Sequence, residues 1–277
     1  MQKLWNNTKT TLLLGGLMGL CLGVGYLLGG QQALLPALLI GGALNVLAFF
    51  FSDRIALATM RAQPVSRRDD PVLYDTVQRL AERANLPAPR VYVSPAAAPN
   101  AFATGRSPKH SAVCVTLGLR RMLDDEELAG VLAHELSHIR HRDMLIGTIA
   151  AVVAGAITVL TYLGLFFGGD DDDGSPLVAL LLLIVAPIAA GLIRMAISRS
   201  REYEADRGGA EIAGGGRGLA RALRKLDAAS RQVPLPVPDS QSNLFIVQPL
   251  TGRRMAKLFA SHPPMDERIR RLQAMDR

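Results

Sequence analysis

The segment VLAHELSHIRH, residues 131–141, places two histidines four positions apart, with a glutamate directly after the first. Residues four apart lie on the same face of a helix, so His134 and His138 can offer two imidazole nitrogens to one Zn²⁺. Glu135 is offset around the helix, where it can take a proton from an activated water without binding the metal. This HExxH pattern predicts a zinc-dependent hydrolase with one Zn²⁺ per chain, although an ordinary solvated helix with hydrogen-bonded histidines has the same spacing.

A catalytic zinc needs a third protein ligand and one open position. The extended pattern HExxHxxGxxH cannot supply it, because His141 and Met144 stand where that pattern has its glycine and its third histidine. The segment SRSREYEADRGG, residues 198–209, offers carboxylates, and its Glu202 and Asp206 are one helical turn apart. The candidates for the third ligand are therefore His110, His141, His262 and the carboxylates of this segment.

Four runs without a charged residue are the elements that could anchor such a site in a membrane. Residues 10–52 are charge-free and divide, at a cluster of glycine, glutamine and proline, into spans near 11–29 and 35–51. Two further charge-free runs cover 144–169 and 174–193. Each run approaches the roughly 20 residues that a helix needs to cross a bilayer. For the second pair, buried core helices or a re-entrant hairpin are the alternative.

The basic residues predict which side of the membrane the polar segments occupy. Lys3 and Lys9 precede the first span and several arginines follow the second, whereas the turn between the two spans has no basic residue. The loop GGDDDDGSP between the last two runs also lacks Lys and Arg. By the positive-inside rule, both termini and both large polar segments are expected on the cytoplasmic side.

The two polar segments are predicted to fold together as one catalytic domain. The chain divides into an N-terminal transmembrane hairpin (1–54), a first catalytic part with the HELSH helix (55–143), a second transmembrane hairpin (144–194) and a second catalytic part with the EYEAD helix (195–277). Periodicity predicts a helix over 71–85, whereas RVYVSP and SAVCVTLG are typical of strands, with NAFATG extended between them. The predicted fold is an α-helical membrane protein with about four transmembrane helices and a cytoplasmic α+β zincin-like catalytic domain.

The motif helix and its partner helix both adjoin predicted spans. The segment DDEELAGVLAHELSHIRHRD indicates one helix that either of its first two aspartates can cap. The third charge-free run starts six residues after His138, and the charge that ends the fourth lies eight residues before Glu202. At about 1.5 Å per helical residue, both side chains would lie on the order of 10 Å above the membrane surface. This equal height favours Glu202 as the third ligand, with Asp206 orienting a zinc-bound histidine; a salt-bridged exposed helix is the alternative for this segment.

Composition narrows the classes of partner. A formal charge of +7 and a pI of about 9.8 suit a membrane face as well as nucleic acid. No basic run is interleaved with aromatic residues, so we expect no nucleic-acid partner. Cys21 and Cys114 have no CxxC partner, and a disulfide framework is therefore not expected. The expected partners are polypeptide substrates and the lipid bilayer.

Five motifs in one order, SDRIALATMRAQPV, PNAFATG, VLAHELSH, SREYEAD and LFASHPPMDERIRRL, resemble those of the HtpX family of membrane zinc endopeptidases, relatives of the CAAX prenyl proteases. The resemblance covers essentially the whole chain. It implies that His134, His138 and Glu202 bind zinc and that Glu135 is the general base. It also implies a location in the bacterial inner membrane and a role in degrading misfolded membrane proteins, which makes membrane proteins the expected substrates.

The resemblance adds residues outside the metal group. Asn100, in NAFATG, resembles a residue near the family's active site, and an edge strand there, with Ala101 and Phe102, would bind substrate backbone by β-augmentation. His262, in SHPP, resembles a position that steadies the transition state and is placed with Glu135 among the catalytic residues. A histidine before two prolines is otherwise an ordinary loop residue.

Two other functions compete with this interpretation. A catalytically silent membrane scaffold or adaptor would hold a structural zinc, closed by four ligands, and would not need Glu135. Prenyl-peptide processing is the weaker option, because four spans are too few for the lipid-lined chamber of those relatives.

Overall fold

The computed structural model describes residues 2–144, 199–232 and 264–276. His262 lies outside these residues, as do the two predicted spans after Met144. Along the chain the described elements are α1 (Gln2–Gly29), a 3-10 turn (Gly30–Ala33), α2 (Leu34–Thr59), β1 (Gln63–Pro64), α3 (Pro71–Arg83), β2 (Arg90–Ser94), β3 (Ala101–Ser107), β4 (His110–Thr116), α4 (Leu117–Met122), α5 (Asp125–His141), α6 (Arg199–Ala213), α7 (Arg217–Gln232) and α8 (Met265–Ala274).

The first charge-free run forms a pair of packed helices, α1 and α2. Within the described residues, one helical segment, Gly30–Thr59, is long and apolar enough by length and composition to cross a membrane. Its exposed large apolar side chains are Leu35, Leu38, Leu39, Ile40, Val46, Leu47, Phe50, Phe51 and Ile55. The helix continues beyond the predicted span, near 35–51, to Thr59, because its last turns pack against the sheet.

A four-stranded sheet of order β1-β2-β4-β3 packs against the last turns of α2. The β2–β4 pair is parallel, and β3 runs antiparallel to β4; among the described residues no strand pairs with the other edge of β3. The strands predicted at RVYVSP and SAVCVTLG agree with β2 and β4, and NAFATG supplies β3. The strand predicted at SAVCVTLG extends two residues beyond the end of β4. The strand stops at Thr116 because this residue caps α4, accepting the Leu119 N–H at 3.2 Å.

The two faces of the sheet have different partners. One face of the sheet packs into the core that contains α5, through Val91, Ala101, Val113 and Val115. On the opposite face, Phe102, Ala112 and Cys114 cluster with Ala56, Leu57 and Met60 from the end of α2 and the residue that follows it. Asp53 adds a 2.6 Å ion pair to Arg90, and Ser94 Oγ donates to the Met60 carbonyl at 2.6 Å. The end of the apolar helix is therefore fastened to the back of the sheet.

The HExxH segment lies on α5, the central helix of the domain. Asp124 rather than Asp125 caps it, in a capping box: Asp124 accepts the Glu127 N–H at 2.8 Å, and Glu127 accepts the Asp124 N–H at 3.0 Å. Helices α3, α6 and α7 and strand β3 surround α5. Its fully buried apolar residues are Leu128, Val131, Leu132, Ala133, Leu136 and Ile139. Because α5 is a core helix, the solvated-helix interpretation of its histidines does not hold.

Candidate active site

Two imidazoles and one carboxylate meet between α5 and α6. His134 Nε2 is 3.8 Å from Glu202 Oε2, and His138 Nε2 is 3.7 Å from Glu202 Oε1. The two Nε2 atoms are 3.2 Å apart. One ligand atom from each of the three residues lies within 4.8 Å of the others, so this group could hold a metal ion.

The donor set fits the zinc centre that the sequence predicts. Two imidazoles and one carboxylate are the ligand types of a catalytic zinc site, and three protein ligands leave the fourth position open. The His134 and His138 Nε2 atoms face each other at 3.2 Å, so they cannot both carry a proton there without repulsion. A shared cation relieves that repulsion and uses both lone pairs.

Small residues allow α6 to reach this position. A Cβ placed on Gly209 would lie 2.9 Å from both the backbone nitrogen and the Cα of His134, closer than side-chain carbons pack. One turn further along α5, a Cβ placed on Gly208 would collide with the Ser137 side chain. The glycine pair that follows EYEADR therefore lets the α6 backbone touch α5. That contact brings Glu202 within reach of both histidines.

The ring of His134 is oriented by the other carboxylate of α6. Its Nδ1 lies 3.0 Å from Asp206 Oδ1, which leaves Nε2 directed at the metal group. Burial raises the pKa of Asp206, but Arg268 and His134 outweigh it and hold the pKa at about 2. Asp206 is therefore an anion beside His134, the position that the sequence predicts for it.

The ring of His138 has its own carboxylate, which the sequence did not single out. His138 Nδ1 lies 3.3 Å from Asp143 Oδ2. Arg142 adopts a left-handed conformation, with φ 61°, and turns the chain back so that the Asp143 N–H donates to the His138 carbonyl at 3.0 Å. Burial lowers the pKa of His138, but Asp143 and Glu202 outweigh it and raise the pKa to about 9. The carboxylates of Asp143 and Glu202 therefore favour positive charge at the His138 ring.

A second residue missed at the sequence level is Arg268, on α8. Its side chain is 0% exposed. Its Nη2 and Nε atoms donate to Asp206 Oδ1 and Oδ2 at 2.7 and 2.8 Å, and its Nη1 lies 3.5 Å from Glu202 Oε2. Desolvation opposes its charge, but Asp206 and Glu202 raise the pKa of Arg268 above its ordinary value. One buried guanidinium thus contacts both of the α6 carboxylates beside the metal group, Asp206 and Glu202. The sequence does contain a signal: Met265, Ile269 and Leu272 place Arg268 on the apolar face of its helix.

Glu135 is held by the edge strand. The Ala103 N–H donates to Glu135 Oε2 at 2.9 Å. Burial raises the pKa of Glu135, and the neighbouring His134 and His138 oppose that rise. The carboxylate that follows the first histidine is therefore fixed in the site by β3, with its second oxygen left for other contacts.

The strand that was predicted to bind substrate lies beside Glu135. Asn100 is buried, and its carbonyl accepts the Thr116 N–H at 2.9 Å, so alternate residues from Asn100 onward turn their backbone groups toward β4. Ala101 and Ala103 consequently direct their backbone N–H and C=O groups toward the edge of β3 that faces away from β4. Phe102 is different: its side chain is buried in the cluster against α2, on the far face of the sheet.

The other histidines considered as ligands are elsewhere. His110 is exposed at the start of β4, where its Nδ1 lies 3.1 Å from Ser107 Oγ. His141 Nδ1 lies 3.4 Å from Ser137 Oγ, on the last turn of α5. Neither belongs to the metal group.

A buried HExxH helix, a glutamate on a second helix and a sheet edge beside the base define a metallopeptidase rather than a scaffold. The sequence pattern of peptidase family M48 matches residues 67–276, most of the chain. The chain belongs to peptidase family M48.

Relatives of full length support the same assignment. The chain is 51% identical to a "Protease HtpX homolog" of Pelotomaculum thermopropionicum over 278 residues, covering 98% of this chain and 99% of the relative. It is 51% identical to a protein of the same name from Thermodesulfovibrio yellowstonii, covering 97% and 98%. The crystal structure of S. mikatae Ste24p has a TM-score of 0.52 at 19% identity, covering 98% of this chain and 66% of that chain. That likeness shows a shared fold.

Proposed function

We propose that this protein is a zinc endopeptidase that cleaves misfolded or damaged membrane proteins at the cytoplasmic face of the bacterial inner membrane. The observation that carries the proposal is the grouping of three ligand atoms within 4.8 Å beside a glutamate held by an edge strand. Membership of a peptidase family, and relatives named as proteases over their full length, support it.

The proposed metal site uses His134, His138 and Glu202 as ligands. Asp206 orients the first histidine and Asp143 the second, while Arg268 fixes the carboxylates of α6. When bound, a zinc ion supplies Lewis-acid chemistry here, activating water and polarising a peptide carbonyl.

The proposed proton carrier is Glu135. It accepts the proton of the attacking water and passes it to the leaving amine of the cleaved peptide bond. The Ala103 N–H fixes one of its oxygens, at 2.9 Å, so the other is directed to the reacting groups. His262 is proposed, from the family resemblance, to stabilise the oxyanion.

The substrate is proposed to bind as an extended strand along β3. On the edge of β3 away from β4, the backbone groups of Ala101 and the Ala103 carbonyl would pair with a polypeptide regardless of its sequence. Asn100, directly before β3, is bonded to Thr116 of β4, and Phe102 contacts α2 on the far face of the sheet, so both hold the strand in place. Recognition through backbone suits an enzyme that acts on damaged proteins of many sequences.

The proposed topology has about four transmembrane helices, two on each side of the first catalytic part. The helical segment Gly30–Thr59 and its exposed apolar side chains support the first hairpin. The charge-free runs at 144–169 and 174–193 support the second. The distribution of Lys and Arg supports a cytoplasmic position for both termini and for the catalytic segments 55–143 and 195–277.

Glu135→Gln tests the mechanism. The substitution keeps the size of the side chain and its contact with Ala103 but removes the base, so casein cleavage in detergent is expected to fall about 10²–10⁴-fold. Zinc content is expected to stay at one per chain, because Glu135 is outside the ligand set. Glu82→Gln, on the exposed side of α3, is the matched control. Cleavage by Glu135→Gln at the rate of the control would rule the mechanism out.

A further inference from the structure

The junction between α2 and the β3–β4 hairpin carries two arginines stacked on neighbouring aromatic rings. The Arg54 guanidinium carbon lies 5.4 Å from the centroid of the Phe51 ring. The Arg106 guanidinium carbon lies 5.5 Å from the centroid of Phe50. The two cations thus come from different elements, α2 and β3, and meet adjacent phenylalanines. Both distances are typical of cation–π contacts.

This junction lies at the end of the apolar part of α2. Phe50 and Phe51 are 48% and 37% exposed and, with Ile55, form the end of a nearly continuous exposed apolar surface. Arg54 comes one turn later, and Asp53 beside it is turned inward to Arg90. Aromatic rings followed by basic residues are typical of the level where hydrocarbon gives way to head groups.

The local charge is positive, and within the described part of the chain no ion pair neutralises these two arginines. Neither Arg54 nor Arg106 forms an ion pair with any of the described residues. The whole β3–β4 hairpin, 101–116, contains Arg106 and Lys109 and no acidic residue. Lys109, in the turn of that hairpin, is exposed. A phosphodiester could therefore accept hydrogen bonds from either guanidinium group without meeting a carboxylate of the hairpin.

We propose that Arg54 and Arg106, stacked on Phe50 and Phe51, form a binding site for the head group of an anionic phospholipid. The rings contact the upper acyl chain and glycerol region, and the guanidinium groups bind the phosphate. The inference rests on the proposed position of α2 in the membrane.

The site is close to the catalytic groups along a single strand. Arg106 follows Ala103, whose N–H is bonded to Glu135, by three residues, which span about 10 Å in a strand. The strand register shifts between Gly105 and Ser107, so Arg106 has no opposite residue on β4. Gly105, with φ 136°, makes this irregularity possible, since a Cβ there would collide with the His110 carbonyl. A bound lipid would thus fix the membrane end of the proposed substrate edge.

The experiment uses the full-length protein in non-ionic detergent, with bound lipid counted by native mass spectrometry. Phosphatidylglycerol, phosphatidylcholine and inorganic phosphate are titrated separately against wild type, R54Q/R106Q and R224Q, a control on the exposed side of α7. Wild type and R224Q are expected to bind phosphatidylglycerol more tightly than phosphatidylcholine. R54Q/R106Q is expected to lose about fivefold or more of its phosphatidylglycerol affinity for each arginine removed.

The other outcomes overturn the proposal. Equal affinity of wild type for the two lipids, or unchanged phosphatidylglycerol affinity in R54Q/R106Q, would contradict the head-group site. Inorganic phosphate binding as tightly as phosphatidylglycerol would make the site one for small anions. Failure to bind either lipid would instead contradict the membrane position of α2, and so the proposed topology. R54K/R106K keeps both charges and is expected to retain the lipid preference, which separates a charge effect from misfolding.

Discussion

Arg268 on α8 and Asp206 on α6 form a bidentate ion pair inside the protein, with N–O distances of 2.7 and 2.8 Å and both side chains at most 2% exposed. The same guanidinium lies 3.5 Å from Glu202. Helix α8 therefore contacts the metal group through Arg268, which binds Asp206 and lies beside the proposed ligand Glu202.

Removing this guanidinium should destabilise the fold and the site together. Arg268→Met leaves Asp206 buried with one partner fewer, and breaking a buried pair in this way costs about 3–5 kcal/mol of unfolding free energy. Thermal unfolding of the purified protein and zinc per chain are the measurements. Arg270→Met, at a 73% exposed side chain paired with Glu267, should change unfolding free energy by less than about 0.5 kcal/mol. Equal effects of the two substitutions would refute the structural role of Arg268.

Asp143→Asn should weaken zinc binding without removing a ligand. The carboxylate lies 3.3 Å from His138 Nδ1, and losing such a partner typically costs 10–100-fold in metal affinity. Zinc affinity measured by competition with a chelator tests this directly and does not depend on peptidase activity. Asp75→Asn, which breaks an ion pair to the exposed Arg67 on the surface, is the control and should keep wild-type affinity. The role of Asp143 would be disproved by affinity equal to that of the control.

Gly209→Ala should push α6 away from α5. The new methyl would lie 2.9 Å from the His134 backbone, and overpacking of this kind costs about 1–3 kcal/mol. Zinc affinity should fall as well, because Glu202 is carried on the displaced helix. Gly42→Ala, on α2, has no neighbour within 4 Å of the added carbon and should leave zinc binding unchanged. Full zinc affinity in Gly209→Ala would show that the helices need not approach so closely.

Chelation should lower thermal stability as well as activity. The proposed ligands join α5 to α6, so metal binds the folded state and stabilises it by about 4 kcal/mol at a free concentration 1,000 times Kd. Treatment with 1,10-phenanthroline should lower the unfolding midpoint and abolish casein cleavage, and added zinc should restore both. His110→Ala, remote from the metal group, should behave as wild type. An unfolding midpoint that the chelator does not move would count against a metal that links the two helices.

The local elements of the site could be predicted because local patterns specify them. The HExxH spacing sets two rings on one face of α5, and the EYEAD spacing sets Glu202 and Asp206 on one face of α6. That the two helix faces meet was predicted from the distances along the chain between these residues and the neighbouring charge-free runs. Asp124 as the cap of α5 was one of two choices, and the capping box with Glu127 decided between them.

The partners of the ligands were harder to predict, because they depend on chain geometry over longer distances. Asp143 reaches His138 only because Arg142 adopts a left-handed conformation, which is uncommon for a residue other than glycine. Arg268 lies 62 residues from Asp206, in a helix with two further arginines, so local charge does not say which one is buried. The apolar positions Met265, Ile269 and Leu272 distinguish Arg268 from the other two arginines, because they place it on the buried face of the helix.

The continuity of α2 sets a distance rule for cleavage. The helix has no break between Leu34 and Thr59, and Asp53 and Met60 fasten its end to the sheet whose outer strand holds Glu135. In the proposed topology, a continuous helix of this kind would set the distance between the bilayer and the scissile bond. We therefore expect cut positions in a membrane-anchored polypeptide to be selected by how many residues they stand from its anchor, with little regard for which residues those are.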